Sequence, residues 1–324
     1  MLVAKESELR ERYGVHWRLT GVATRRTGWL ADPGGLHPLA LLNGHWPAPP
    51  ADAPRNVREW LERARADLLF EATSLNAQHG QPAIDHLRAA LEHGAHAISA
   101  NKGPIVHAYG ELTALARARG KRFLHESTVM DGVPIFSLFS AGLPAADLRG
   151  ISGVLNSTTN VVLTEIEKGR TLEEAVKHAQ ALGVAETDPS ADLDGWDAAV
   201  KLAALVIVLM GVPLRLEHIR RTGIRELSVE KIRAARAAGM RYKLVCRAER
   251  RAGAEAPVHA IVEPELLPLS DPLANLEGTS SAIRFDLDVF SLSLVEHNPG
   301  IEATAYGLLA DFLRAVHAEN PAGR

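Results

Sequence analysis

Along the first third of the chain, apolar positions recur at two alternating periods, about two and about 3.6 residues, which predicts strands followed by helices. Leu2 to Tyr13 is charged and helical in period, and Gly14 stands where that helix would stop. Trp17-Arg18-Leu19-Thr20-Gly21-Val22-Ala23-Thr24 reads as a strand. Gly28 to Pro54, dense in Gly, Pro and Trp, reads as a long surface loop. The order then becomes regular: helix Val57–Ala64, strand Ala66–Glu71, helix Pro82–His93, strand Ala95–Ser99, helix Pro104–Arg119 and strand Arg122–His125. Strands alternating with helices of this length imply βαβ units and a parallel sheet.

After Pro134 the pattern changes. Asp147–Leu155 predicts a strand, and Ser157–Lys168, Leu172–Leu182 and Asp194–Met210 predict three helices. Strands at Arg241–Ala248, Pro257–Glu263, Ser281–Leu287 and Val289–Val295 precede one amphipathic helix, Gly300–His317. The expected fold class is α/β. It comprises an incomplete Rossmann-type nucleotide-binding domain over 1–133, an α+β substrate-binding and dimerisation domain over 134–297, and a C-terminal helix over 298–324 returning to the nucleotide domain. The first domain is expected to be incomplete because a dinucleotide fold opens with a strand and a Gly-x-Gly-x-x-Gly turn. None precedes the strand at Trp17, so the chain as given is expected to bind a dinucleotide poorly.

Composition removes several classes of partner. Of 324 residues, 46% are apolar and 23% charged, which suits a soluble protein with a substantial core. A formal net charge of −3 argues against nucleic acid or an anionic membrane as partner. The single cysteine, Cys246, excludes an internal disulfide framework and fits a reducing cytoplasm. The longest apolar stretch, Ala198 to Val212, is interrupted by Lys201 and is short for a membrane span, and no signal-peptide pattern opens the chain. Histidines 79, 86, 93 and 96 lack zinc-ligand spacing.

Candidate chemistry gathers at one helix start. Asp197 and Lys201 are four apart and share a face, while Glu186 and Asp192 lie in the loop before them. Taken singly, Asp194 reads equally as an N-cap and Asp197–Lys201 as an ordinary helix pair. Lys201, one turn into a helix continuing Leu-Ala-Ala-Leu-Val-Ile-Val-Leu, is expected to be half-buried, and burial lowers a lysine pKa toward that of a useful base. Arg25 and Arg26 follow the strand ending at Thr24, where an acidic residue would bind the ribose of NAD; two arginines suit the 2′-phosphate of NADP, or a solvated loop.

Four motifs carry a family resemblance. Ala100-Asn101-Lys102 resembles the Ala-Asn-Lys turn of homoserine dehydrogenases, and Glu126-Ser127-Thr128-Val129 resembles their hinge. Gly153-Val154-Leu155-Asn156-Ser157-Thr158-Thr159-Asn160 is similar to their Gly-Ile-Leu-Asn-Gly-Thr-Thr-Asn. The run Leu182 to Asp197, with Lys201 four residues on, resembles Leu-Gly-Tyr-Ala-Glu-Ala-Asp-Pro-Thr-Ala-Asp-Val-Glu-Gly-Ile-Asp. The resemblance implies NAD- or NADP-dependent interconversion of L-homoserine and L-aspartate 4-semialdehyde by a cytoplasmic homodimer. It implies Lys201 as base with Asp192 near it, and Lys102 as a fixed charge beside nicotinamide and substrate. Glu186 and Asp197 would take the substrate ammonium, Ser157 and Thr158 its carboxylate, and Thr73 and Ser74 the cofactor ribose. It further implies a monovalent cation, sodium or potassium, on the main-chain carbonyls of Glu126, Val129, Asp131 and Val133.

The chain departs from that pattern at Val184, where the family has tyrosine, at Ser157 in place of glycine, and in Met130-Asp131-Gly132. Two other readings therefore stand beside the dehydrogenase: an impaired homologue that binds amino acids or dimerises, and a related enzyme for another small amino acid.

Overall fold

The computed structural model describes residues 1–48, 50, 52–250 and 257–317. Contacts divide the chain into two compact units, Met1–Ser127 with Thr304–Arg324, and Thr128–Ala303.

Unit one opens with α1 (Glu6–Tyr13), which ends at Gly14 in the left-handed region, φ 63°, with its N–H turned back to Arg10 O. The strand expected over 17–24 is confined to β1 (Gly21–Thr24), and the expected surface loop begins instead as β2 (Gly28–Ala31), paired antiparallel with it. Side-chain packing explains the correction. Leu30 is buried, Trp29 and Trp60 rings lie 5.6 Å apart, and Trp60 Nε1 donates to Leu30 O at 2.7 Å. The same segment also holds α2 (Pro38–Leu42). Asn56 caps α3 (Val57–Ala64), accepting from the N–H groups of Arg58 and Glu59, and so directs Trp60, Leu61 and Ala64 inward.

Next come β3 (Leu68–Glu71), α4 (Ala83–His93), β4 (His96–Ser99), α5 (Lys102–Ala118) and β5 (Phe123–Leu124). The three strands form a parallel sheet in the order β3-β4-β5, and β4 is buried throughout, as a strand covered on both faces must be. Ile84, Leu87 and Leu91 of α4 pack with Leu112 and Ala116 of α5 over Ala97. Among the described residues β1 pairs only with β2, and β3 only with β4. A cavity of about 1440 Å³ is lined both by Trp17–Arg25 and by Ala64–Ser74.

Unit two contains α6 (Ile135–Ser137), β6 (Leu148–Val154), α7 (Ser157–Glu167), α8 (Leu172–Ala181), α9 (Ser190–Leu193) and α10 (Trp196–Leu205), the last continued to Met210 by a wider helical turn. They are followed by β7 (Arg220–Arg221), α11 (Val229–Ala237), β8 (Met240–Arg250), β9 (Val258–Pro268), β10 (Ser281–Leu287) and β11 (Ser291–Glu296). The sheet runs β11-β10-β6-β8-β9-β7 and is antiparallel except between β7 and β9. Helix α11 was not foreseen, because only Ile232 and Ala235 are buried in a run otherwise full of charge. Helix α12 (Ile301–His317) begins at the boundary, and its Leu309, Phe312 and Ala315 complete a core of unit one with Leu9 and Ile98.

The turn before α10 is held from behind by one glycine. A Cβ on Gly223, just after β7, would lie 2.2 Å from Leu193 O and 2.6 Å from Asp194 Cα, so the main chain closes directly on the segment carrying Asp192 and Asp197. Gly223→Ala should destabilise unit two by about 1–3 kcal/mol, the usual cost of overpacking against backbone. Urea unfolding of the variant beside wild type measures it, and an unchanged midpoint would show that this turn yields freely.

Candidate active site

Unit two brings an amide, two carboxylates and an ammonium together at the start of α7. Asn156 is the N-cap of α7, its side-chain oxygen accepting from Thr159 N–H at 2.8 Å. Its Nδ2 donates to Asp192 Oδ1 at 2.7 Å and to Asp197 Oδ2 at 3.0 Å, so one carboxamide bridges both acids. Lys201, one turn along α10, donates to Leu155 O at 2.7 Å and lies 3.1 Å from Asp197 Oδ2; the Lys201 and Asp197 side chains are 16% and 17% exposed. The lysine is thus largely enclosed, on a helix whose neighbouring positions Ala198, Val200 and Leu202 are buried.

The electrostatics of this lysine differ from the expectation. Burial does act to lower its pKa, but Asp197, by charge and hydrogen bond, together with Asp131 and Asp192, outweighs burial and holds the ammonium above its ordinary value. Asp192 moves upward as well: burial and the neighbouring charge of Asp197 dominate the opposing hydrogen bonds from Asn156 and Thr158. Glu296, at the end of β11 and hydrogen-bonded to Ser281, is pushed up to about 7 by burial and by Asp131.

Other predicted substrate residues are placed less simply. Ser157 Oγ donates to Thr279 O at 3.2 Å, and the Thr158 hydroxyl lies between Val184 O, at 3.1 Å, and the Asp192 carboxylate, so both hydroxyls already have protein partners. The N–H groups of Ser157 and Thr158, in the first turn of α7, have no acceptor among the described residues and are the better anion donors. Glu186 is exposed and makes no hydrogen bond or ion pair with the cluster among those residues. Asp194 is not the cap of α10; Gly195 is, and the Asp194 carboxylate pairs instead with Arg225. On the inner side of α10, Cys246 Sγ rests 3.7 Å from Ala198 O, and burial pushes its thiol up to about 12.

In unit one, Arg25, Thr73 and Ser74 all line the 1440 Å³ cavity, which exceeds the usual range of small-molecule sites. Arg25 and Arg26 sit exposed in the turn after β1, where Thr24 Oγ1 accepts from the N–H groups of Arg26 and Thr27. Buried Glu71, which the sequence did not single out, organises the strand ends. Its Oε1 accepts from Thr73 N at 2.9 Å and from the Thr73 hydroxyl, and its Oε2 accepts from Ser99 Oγ at 3.0 Å. Asn101 caps α5 and donates to Thr73 O at 3.1 Å, which fixes Lys102 at the first position of that helix.

Of the hinge residues, Glu126 belongs to unit one, where Arg314 pairs with it at 2.7 Å and its N–H donates to Asp311 Oδ2 at 2.8 Å. Val129, Asp131 and Val133 belong to unit two, in a turn closed by Val133 N–H to Met130 O at 2.8 Å. No group of three His, Cys, Asp or Glu side chains suited to a metal occurs among the described residues.

Comparison with known proteins decides the family. Residues 134–313 match the homoserine dehydrogenase family model, and residues 5–126 match the model of the homoserine dehydrogenase NAD-binding domain. The chain belongs to the homoserine dehydrogenase family. It is 39% identical over 249 residues to the NAD(+)-dependent homoserine dehydrogenase of Pseudomonas canavaninivorans, covering 76% of this chain and 70% of that one. It is 34% identical over 260 residues to the homoserine dehydrogenase of Methanocaldococcus jannaschii, covering 80% and 75%. Among solved structures, a homoserine dehydrogenase from Thiobacillus denitrificans aligns with a TM-score of 0.82 at 28% identity, covering 100% of this chain and 71% of that one. A hyperthermophilic archaeal homoserine dehydrogenase in complex with NADPH aligns with a TM-score of 0.78 at 26% identity, covering 98% and 93%. The family's NAD(P)-binding, Rossmann-type domain and its oxidoreductase class thus hold for this chain. No helix among the described residues is long and apolar enough to cross a membrane.

Because Asp197 contributes most to holding the Lys201 ammonium, Asp197→Asn should move its deprotonation to lower pH. Acetylation of Lys201 by acetic anhydride, followed across pH by peptide mass spectrometry, reports this. Onset at the same pH in variant and wild type would mean that Asp131 and Asp192 hold the charge alone.

Proposed function

We propose that the chain catalyses the NAD(P)-dependent interconversion of L-homoserine and L-aspartate 4-semialdehyde, with Lys201 as the proton-carrying residue. The observation that supports this most directly is the Asn156–Asp192–Asp197–Lys201 cluster at the N-terminus of α7. A helix start with open N–H groups beside two carboxylates suits an α-amino acid, whose carboxylate seeks the amides of Ser157 and Thr158 and whose ammonium seeks Asp197, with Glu186 beyond. Bound dinucleotide supplies the hydride acceptor or donor.

The raised pKa of Lys201 gives it a role by direction. As an ammonium it is ready to donate a proton to the oxygen formed when the semialdehyde is reduced. For homoserine oxidation the same nitrogen must first lose its proton, which its raised pKa disfavours at neutral pH and rising pH favours; Asp192 stands near it as a further charge on the ammonium. Lys102, at the first turn of α5 beyond the carboxyl end of β4, supplies a fixed positive charge toward developing alkoxide. Arg25 and Arg26 bind the 2′-phosphate of NADP, and Thr73 and Ser74 the ribose; the cavity that Arg25 shares with Thr73 and Ser74, with Arg26 next in the same exposed turn, supports this. A monovalent cation on main-chain carbonyls near Val129, Asp131 and Val133 belongs to the same reading. So do a cytoplasmic setting and a homodimer, toward which exposed Phe290 and Val295 offer apolar surface beside and on edge strand β11.

Lys201→Ala should lower turnover in either direction by about two to four orders of magnitude while circular dichroism stays native, because losing a general acid–base group costs that much. Near-normal turnover would assign proton transfer elsewhere. Replacing Arg25 with Asp and Arg26 with Gly should shift the NADP/NAD ratio of catalytic efficiencies about ten- to a hundredfold toward NAD, the worth of a charge-assisted bond. An unchanged ratio would return both arginines to solvent.

A further inference from the structure

Among the described residues one of the largest wholly buried side chains, beside Phe285, is a lysine: Lys243, at 0% exposure in the middle of β8. Its Nζ donates to Asn160 Oδ1 at 2.6 Å and to Leu276 O at 2.5 Å. Asn160 stands in the first turns of α7, three residues after Ser157, and its own Nδ2 donates to Gly278 O at 3.0 Å and Ser280 O at 3.4 Å. Ser157 Oγ reaches Thr279 O, and Thr279 Oγ1 reaches Pro299 O at 3.2 Å. The 276–280 segment is therefore stitched to the start of α7 at three carbonyls, and Lys243 of β8, bonded to both Asn160 and Leu276 O, bridges a fourth. Beside it Arg241, also buried, joins Glu167 at the end of α7 to Glu277 in the same segment.

Such a group is expensive for a core. Replacing buried charged groups by apolar ones of similar volume is often neutral or stabilising, so stability alone does not account for a lysine here. What it supplies is direction: two N–H bonds to fixed acceptors on two different elements. Resting on the function proposed above, we infer that Lys243 is a positioning residue for the substrate seat, holding the N-terminus of α7 and the 276–280 segment in the one arrangement that receives the substrate carboxylate. Burial and the Arg241 charge push its amine down to about 7, so the neutral form, whose two N–H groups match the two acceptors, is accessible near neutral pH.

Isothermal titration of the full chain with L-homoserine, in wild type, Lys243→Met, Lys243→Gln and Asn160→Ala, tests this. Lys243→Met should weaken homoserine binding about five- to tenfold, the loss of one or two positioning bonds, with affinity for the dinucleotide unchanged. Lys243→Gln, which keeps N–H donors at shorter reach, should fall between. Asn160→Ala should cost a similar factor, and the double variant less than the product of the two, since both remove one tie. If Lys243→Met does not melt cooperatively, the Gln and Asn160 variants carry the same comparison. Unchanged homoserine affinity in cooperatively folded variants would overturn the role of Lys243 while leaving the proposed activity standing. Wild-type protein that binds dinucleotide but no homoserine would overturn both.

Discussion

Three aspartates in unit two, Asp131, Asp192 and Asp197, act on one ammonium, that of Lys201, in a place where little water reaches. Carboxylates so close resist ionising together, and a lysine so enclosed resists staying charged. Each tendency is checked by the other. The bridging carboxamide of Asn156 makes the compromise geometric, since it gives an N–H to each of two acids and spends its oxygen on capping α7. Because the cap, the acids and the lysine share these atoms, helix position and charge balance cannot be adjusted separately. The close approach of Gly223 to Leu193 and Asp194 belongs to the same constraint, as it sets where the aspartate-bearing turn can lie.

Unit one solves a related problem with one acid. Glu71 is buried at the end of β3 and spends both oxygens on donors from its own strand end and from β4, while Asn101 returns bonds to Thr73. The carboxyl ends of parallel strands, where ligands of such sheets bind, are thus held by side chains that need not touch a ligand themselves. Thr73 presents its backbone and hydroxyl in one orientation because both point at Glu71, and mobility there is restricted before anything is bound.

Much of this was legible from the residues. The alternation of apolar periods gave the βαβ order of unit one and most strands of unit two, with Val57–Ala64 and Ser281–Leu287 matching their observed limits. The i, i+4 spacing placed Asp197 and Lys201 on one face, and the long motif singled out Asp192. What the sequence could not carry was anything decided by distant partners. The β1–β2 hairpin exists because Trp60 of α3 bonds Leu30 O, thirty residues away in the chain. The Lys201 shift is set against burial first by Asp197, on the same helix, but Asp131, some seventy residues earlier, adds to it with a charge that is invisible to a count of neighbours along one helix. The carbonyl partners of the Ser157 and Thr158 hydroxyls were likewise invisible, since they lie on other segments. Lys243 gave no signal at all, because a lysine in an eleven-residue strand looks like a solvated one until the sheet is covered.

The placement of Cys246 has a practical corollary. It is the protein's only cysteine, enclosed behind α10, with a thiol that stays protonated far above neutral pH, and thiolate is the form that reacts. Maleimides and spin labels therefore find no natural target in the folded chain. A cysteine introduced at any exposed position becomes a unique attachment point, on whichever unit it is placed, without first mutating the native one.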